Sequence, residues 1–129
     1  MQPLPRVLCV DDEPRMLNAI GRNLRGAFDL NLAASGAEAL AQLRAATAPF
    51  AVVVSDMRMP EMNGIALLAQ VRREFPDTTR ILLTGYADMD SVVQAVNEGH
   101  IFRFLGKPCS TTLLLETIRA GVGQPELLT

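Results

Sequence analysis

The chain has 129 residues, of which 49% are hydrophobic and 20% charged, and its net charge is −2 at pH 7. These proportions exclude a disordered, charge-dominated chain and fit one domain of ordinary size. The sequence also lacks the basic stripe that nucleic acid requires and any apolar run near the ~18 residues of a membrane span. We therefore predict one domain over residues 1–122 and a tail or start of a linker over 123–129, with neither nucleic acid nor membrane as a direct partner.

The N-terminus and the two cysteines indicate the cellular compartment. The first six residues show no basic region followed by a hydrophobic stretch, so no secretory signal is predicted. Cys9 lies in an apolar run and is interpreted as a small buried hydrophobic residue, not as half of a disulfide with Cys109. The expected location is cytoplasmic.

Short apolar strands alternate with segments of helical period along the chain. In chain order, the sequence predicts strand Arg6–Val10, a helix from Pro14 through Leu24, strand Leu30–Ala33, a helix from Ser35 or Gly36 through Ala46, and strand Phe50–Ser55. A loop over Asp56–Gly64 then leads to a helix ending at Pro76-Asp77, strand Arg80–Thr84, a helix from Met89 to Gly99, strand Phe102–Leu105, and a helix capped by Ser110. In the helix from Met89 to Gly99, the stripe of Val92, Val93 and Val96 is expected to be mostly core.

This alternation predicts an α/β fold in which a doubly wound, five-stranded parallel sheet has helices on both faces. Sites in such folds form beyond the carboxyl ends of the strands. The polar residues at those ends are Asp11 and Asp12 after the first strand, Asp56 after the third, Thr84 after the fourth and Lys107 after the fifth.

Three carboxylates at one edge of a sheet repel one another unless a cation lies among them. Oxygen ligands without a His or Cys pair favour Mg²⁺ over zinc, and Mg²⁺ in proteins is usually shared with a phosphoryl group. Lys107 and Thr84 offer an ammonium and a hydroxyl to phosphoryl oxygens. The pattern therefore predicts a site for magnesium and phosphate.

Asp56 is the best candidate for a carboxylate nucleophile, because it follows the central valine-rich strand and opens a loop. The backbone N–H groups of Met57 and Gly85 are predicted to help hold the phosphate oxygens. Gly85 is interpreted as allowing the backbone to approach closely.

Four segments together resemble the receiver domain of two-component response regulators. They are VLCVDDEP (Val7–Pro14), VVVSDMRMPEMNG (Val52–Gly64), ILLTGYAD (Ile81–Asp88) and FRFLGKP (Phe102–Pro108), in the order and spacing of that family. The resemblance implies a flavodoxin-like sheet with strand order 2-1-3-4-5. It also implies a phosphoacceptor signalling module and not an enzyme, with at most Mg²⁺-dependent self-phosphotransfer and autodephosphorylation.

The resemblance assigns a role to each site residue. Asp56 resembles the acceptor of a phosphoryl group from a histidine kinase or phosphotransfer protein, with Thr84 and Lys107 as the switch hydroxyl and the lysine of the site. Mg²⁺ is expected to bind Asp11, Asp12, Asp56 and the carbonyl of Arg58. A cis peptide is expected before Pro108, where it would aim Lys107 into the site.

The resemblance also implies how phosphorylation changes the conformation of the domain. Phe104 occupies the position of a switch aromatic but has no hydroxyl, so only steric coupling to Thr84 is predicted. Arg58 and Tyr86 are predicted to flank the phosphate entrance and to tune dephosphorylation. The phosphorylated face is expected to regulate an output domain or a downstream protein, and the sequence leaves open a dimer that forms on phosphorylation.

Three alternatives stay open at this point. A phosphatase of the haloacid dehalogenase type also uses an aspartyl phosphate, but it has a second aspartate where this chain has Arg58. A flavodoxin-like nucleotide binder would need a phosphate-cradling loop where Asp11-Asp12-Glu13 stands, and these charges disfavour anions. The third alternative is a receiver-like interaction domain that is never phosphorylated.

Overall fold

The computed structural model describes residues 3–123, apart from the side chain of Tyr86, so most of the predicted tail, 124–129, lies outside the described residues. Strands and helices alternate, as predicted. They are β1 (Arg6–Val10), α1 (Pro14–Leu24), β2 (Asp29–Ala33), α2 (Gly36–Ala45), β3 (Val52–Asp56), α3 (Gly64–Glu74), β4 (Thr79–Thr84), α4 (Met89–Asn97, preceded by a 3₁₀ turn over Tyr86–Asp88), β5 (Arg103–Gly106) and α5 (Thr111–Gly121).

All neighbouring strands of the sheet are parallel, and their order is β2-β1-β3-β4-β5, which confirms the predicted fold. The register pairs Val10 of β1 with Ser55 of β3, and Asp56 of β3 with Leu83 of β4. The carboxyl ends of β1, β3 and β4 therefore lie side by side at one edge.

The sheet separates two hydrophobic clusters, because successive residues of a strand point to opposite faces. One cluster joins strand residues such as Leu8, Val53 and Leu82 to apolar residues of α2, α3 and α4. The other joins strand residues such as Cys9 and Val54 to apolar residues of α1 and α5. Both faces are thus covered, as the continuous apolar character of β1 and β3 predicts.

Two details of the sequence prediction concern single side chains. Cys9 is a fully buried free thiol whose pKa burial raises to about 12, which confirms its interpretation as a core residue. The prediction that the valines of α4 are mostly core is wrong for one of them, since Val92 is fully buried whereas Val93 is 46% exposed. Adjacent helical residues point about 100° apart, so both could not face the same core.

The amino-terminal edge of the sheet is held by side chains that bond to the backbone. Arg80, at the start of β4, is 8% exposed and lies among the carbonyls that precede β4 and β5. The bonds are Arg80 Nε to His100 O (2.9 Å), Arg80 Nη1 to Thr78 O (2.9 Å), Thr78 Oγ1 to Phe50 O (2.9 Å) and Thr79 Oγ1 to Gly121 O (2.8 Å). Within residues 3–123, no helix is both long enough and apolar enough to cross a membrane.

Candidate functional site

Three aspartates meet at the carboxyl-terminal edge of the sheet. Asp11 directly follows β1, Asp12 comes next in the chain, and Asp56 is the last residue of β3. One carboxylate oxygen from each lies within 4.8 Å of the others. Asp11 and Asp56 are 2% and 8% exposed, whereas Asp12 is exposed to solvent. The structure therefore brings together the acidic residues that the sequence predicts to share a site.

Asp11 combines burial with incomplete hydrogen bonding of its carboxylate. Its Oδ1 accepts a hydrogen bond from the backbone N–H of Glu13 at 2.9 Å, but its buried Oδ2 has no hydrogen-bond partner among the described residues. Burial raises the pKa of Asp11, the charge of Asp56 raises it further, and the Glu13 N–H and the Lys107 charge oppose this. A cation that reached Oδ2 would stabilise the ionised carboxylate.

Lys107 supplies the positive charge of the pocket. Its Nζ contacts Oδ1 of Asp56 and lies 3.9 Å from Oδ2 of Asp11. The backbone N–H of Lys107 donates to the carbonyl of Thr84 at 2.8 Å, which anchors this end of the chain to β4. The Lys107–Pro108 peptide is cis, as expected.

Thr84 ends β4 and is 1% exposed. Its hydroxyl donates to the carbonyl of Gly85 at 3.0 Å, so it is engaged with its own chain. Phe104, on β5, is partly buried and packs against the hydrophobic cluster on the α4 side of the sheet. Its predicted switch role stays a prediction.

Two backbone N–H groups, those of Met57 and Gly85, are predicted to hold phosphate oxygens. The N–H of Met57 donates to the carbonyl of Leu83 at 2.9 Å, so it already has a partner in the extended β3–β4 pairing. A Cβ added at Gly85 would meet no atom within 4 Å. The structure thus has open space beside Gly85, and the roles of both N–H groups toward phosphate stay predictions.

Gly64 is a site residue that the sequence analysis missed. A Cβ there would lie 2.3 Å from the carbonyl oxygen of Asp56 and 2.7 Å from Cδ1 of Leu82. The Gly64 N–H donates to Met57 O at 2.8 Å, and Asn63 Oδ1 caps α3 by accepting from Ala66 N at 2.8 Å. The Asn63-Gly64 pair predicts only a turn, but here it lets α3 begin directly against the backbone of Asp56.

Arg58 has a partner that the sequence analysis did not anticipate. Its Nε and Nη2 donate to the two carboxylate oxygens of Asp88, at 3.0 Å and 3.1 Å. The pair joins the loop after β3 to the residue that precedes α4. The role predicted for Tyr86 concerns a side chain that lies outside the described part of the chain.

Most of the chain is similar to known signalling proteins. The sequence pattern of the response regulator receiver domain matches residues 7–119. The hydrogenase transcriptional regulatory protein HoxA of Cupriavidus necator is 36% identical over 116 residues, which cover 90% of this chain and 24% of that protein. The C4-dicarboxylate transport transcriptional regulatory protein DctD of Rhizobium meliloti is 37% identical over 121 residues, covering 92% and 25%. The chain thus spans about a quarter of the length of these relatives.

Solved structures agree with this similarity. A response regulator receiver domain protein from Clostridium thermocellum superposes with a TM-score of 0.89 at 30% identity, covering 98% of this chain and all of that one. The signal receiver domain of an HD domain-containing protein from Pseudomonas fluorescens Pf-5 gives 0.84 at 34% identity, covering 94% and 88%. Receiver domains accept a phosphoryl group on an aspartate and regulate output domains. From its sequence pattern, strand order and acidic pocket, this chain belongs to the response regulator receiver domain family.

Proposed function

We propose that Asp56 is the phosphoryl acceptor of this receiver domain. The observation that carries the proposal is the contact of the Lys107 ammonium with the Asp56 carboxylate, beside the carboxylates of Asp11 and Asp12. A buried carboxylate at a strand end, paired with a mobile cation, combines a nucleophile with the charge that phosphoryl transfer requires.

The residues present fit a magnesium ion. The clustered side chains offer only oxygen donors, and Oδ2 of Asp11 is buried without a hydrogen-bond partner in the described structure. The three carboxylates and the single ammonium of this pocket leave a net charge of two negatives, which a divalent cation would balance. We propose Asp11, Asp12, Asp56 and the carbonyl of Arg58 as the protein ligands. When bound, Mg²⁺ offsets the charge of the phosphoryl oxygens and orients them.

The donor proposed is a phosphohistidine of a histidine kinase or phosphotransfer protein. The phosphorus–nitrogen bond breaks, its electron pair stays on the imidazole nitrogen, and a bond forms between phosphorus and a carboxylate oxygen of Asp56. Lys107 then binds phosphoryl oxygens in place of the bare carboxylate. The Thr84 hydroxyl leaves the Gly85 carbonyl and donates to the phosphoryl group.

The consequence proposed is a change of the face that contains β5, transmitted from Thr84 to the aromatic ring of Phe104. The recipient is an output domain or a downstream protein. The relatives support an output domain, because HoxA and DctD are transcriptional regulatory proteins about four times as long as the part that matches. The only chemistry proposed for the domain itself is Mg²⁺-dependent self-phosphotransfer and autodephosphorylation.

The test is incubation of the chain with acetyl phosphate and Mg²⁺, followed by measurement of the intact mass. We expect the gain of one phosphoryl group, which a chelator of Mg²⁺ prevents and which Asp56→Asn abolishes. Asp77→Asn, at an exposed position before β4, is the matched control and should gain the same mass. An unchanged mass of the parent chain, or an equal gain in Asp56→Asn, would contradict the proposal.

A further inference from the structure

The paired side chains of Arg58 and Asp88 form a charged bridge beside the proposed acceptor. Arg58 is two residues beyond Asp56, and both of its bonds to Asp88 have ordinary hydrogen-bond lengths of 3.0 Å and 3.1 Å. The two residues also line an open recess of about 500 Å³, together with Met57, Met59, Pro60 and Asn63. The bridge therefore lies on the loop that follows Asp56, at a recess that the next residue, Met57, also lines.

The two partners differ in their exposure to solvent. The Arg58 side chain is 72% exposed, whereas that of Asp88 is 19% exposed. The carboxylate is thus the more buried partner, and the guanidinium stays accessible to solvent. In this arrangement Asp88 neutralises Arg58 without burying it, so the positive charge is present but masked.

We propose that Asp88 is a positioning residue that withholds Arg58 from incoming anionic phosphodonors. This inference rests on the proposed function, because it takes Asp56 as the acceptor. Since the nearby edge of the sheet is rich in carboxylates, a dianionic donor gains from any cation that is free to meet it. With Asp88 in place, the donor has to draw Arg58 away from an existing partner.

The exchange of partners is energetically feasible. Exposed ion pairs are weak and are screened by salt, so opening the bridge has a small cost. A phosphoryl group offers the guanidinium the same bidentate geometry as a carboxylate. Removal of Asp88 should therefore strengthen binding of the donor without changing the chemical step at Asp56.

The test measures the rate at which acetyl phosphate phosphorylates the chain, with excess Mg²⁺ and at low ionic strength. In this reaction the bond between phosphorus and the acetyl oxygen breaks, the Asp56–phosphorus bond forms, and acetate leaves with the electron pair. The variants are Asp88→Asn, Arg58→Gln, the double variant, and Asp90→Asn. Asp90 is exposed in the first turn of α4 and has no arginine partner among the described residues, so its substitution makes the same change of charge two residues away from Asp88.

We expect Asp88→Asn to raise the second-order rate constant about two- to fivefold. The gain should appear as a lower half-saturating donor concentration, at an unchanged maximal rate, and should vanish in high salt. With glutamine at position 58, the same substitution should change the rate less than about 1.5-fold, as should Asp90→Asn. Asp88→Glu keeps the charge and should retain the parent rate.

Three results would overturn the inference while the parent chain is still phosphorylated. They are an unchanged or slower rate in Asp88→Asn, an equal acceleration in Asp90→Asn, and an equal acceleration by Asp88→Asn when Arg58 is absent. If the parent chain is not phosphorylated at all, the proposed function fails instead. Thermal unfolding of each variant verifies the fold, and Asp88→Ser replaces Asp88→Asn if that variant unfolds.

Discussion

The two edges of the sheet treat buried polar groups in opposite ways. At the amino-terminal edge, Arg80 is buried among carbonyls that accept its hydrogen bonds, and the hydroxyls of Thr78 and Thr79 each donate to a backbone carbonyl. At the carboxyl-terminal edge, Oδ2 of Asp11 is buried without a hydrogen bond in the part of the chain described. Among the described residues, these three side chains of the amino-terminal edge have backbone partners, whereas one carboxylate oxygen of the carboxyl-terminal edge has no hydrogen-bond partner.

The side chains at the amino-terminal edge thus bond to the backbone of the fold, whereas Asp11 belongs to the acidic cluster of the candidate site. Buried polar groups normally have hydrogen-bond partners, so a buried carboxylate oxygen without one is unusual and distinguishes Asp11 from the polar side chains of the other edge. His100 Nδ1, near the amino-terminal edge, also lacks a partner among the described residues. An imidazole nitrogen bears no negative charge, so burying it without a hydrogen bond costs less than burying a carboxylate oxygen.

The largest expected effect on stability comes from removing the hydrogen bonds of Arg80 at the amino-terminal edge. Arg80→Leu leaves the carbonyls of Thr78 and His100 without their donor and should lower the free energy of unfolding by about 2–4 kcal/mol. Urea denaturation measures this change. Phosphorylation of the folded variant by acetyl phosphate should stay near the parent rate, because the site lies at the opposite edge. A loss of stability below about 0.5 kcal/mol would show that these bonds contribute little.

A smaller change of opposite sign in the free energy of unfolding is expected from substitution of Asp11 at the carboxyl-terminal edge. With Mg²⁺ removed by a chelator, Asp11→Asn should raise the free energy of unfolding by about 1 kcal/mol at neutral pH, because it removes a buried charge next to Asp56. The variant should also lose the stabilisation that added Mg²⁺ gives the parent chain. Destabilisation of the metal-free protein by Asp11→Asn would contradict this interpretation.

The stability difference between Asp11→Asn and the parent chain should depend on pH, because the pKa of Asp11 is raised in the folded state. The folded-state pKa of Asp11 is raised above its ordinary value of 3.8, so the folded chain is more stable with Asp11 protonated. The advantage of Asp11→Asn should therefore be full above the folded-state pKa and shrink as the pH falls toward 3.8. Thermal unfolding in chelator across this range measures it.

The smallest expected effect on stability concerns the exposed ion pair of Arg44, near the end of α2, and Glu74, at the end of α3. Hydrogen bonds from Arg44 and then Gln70 lower the pKa of Glu74 to about 2, from an ordinary 4.5. The stabilisation is present above pH 4.5 and is lost as the pH falls toward 2. Glu74→Gln should therefore weaken the acid-induced loss of stability only slightly, because the pair is exposed. A large change at neutral pH, measured by urea denaturation, would contradict this.

The fold could be predicted from the sequence because its patterns are local. Continuous apolar runs such as Arg6–Val10 mark strands covered on both faces, and β1 has the predicted bounds. Ser110 caps α5 as predicted, accepting from Leu113 N at 3.1 Å. The start of β3 differs by two residues, Val52 and not Phe50, because strand ends depend on pairing with neighbours.

The candidate site could be predicted only as far as topology determines it. Asp11, Asp56 and Lys107 each lie at or just past the end of a parallel strand, and such ends meet wherever the sheet order permits. The contacts of Gly64, Asp88 and the Met57 N–H depend on the three-dimensional path of loops. No local pattern around Asp88 indicates that Arg58, thirty residues earlier, binds it.

The most direct test of the account is to locate the phosphoryl group within the chain. After reaction with acetyl phosphate and Mg²⁺, borohydride reduction converts an aspartyl phosphate to homoserine, which peptide fragmentation places in the sequence. Homoserine is expected at position 56 alone. Modification at Asp11 or Asp12, or a phosphoryl group retained on His100, would contradict it.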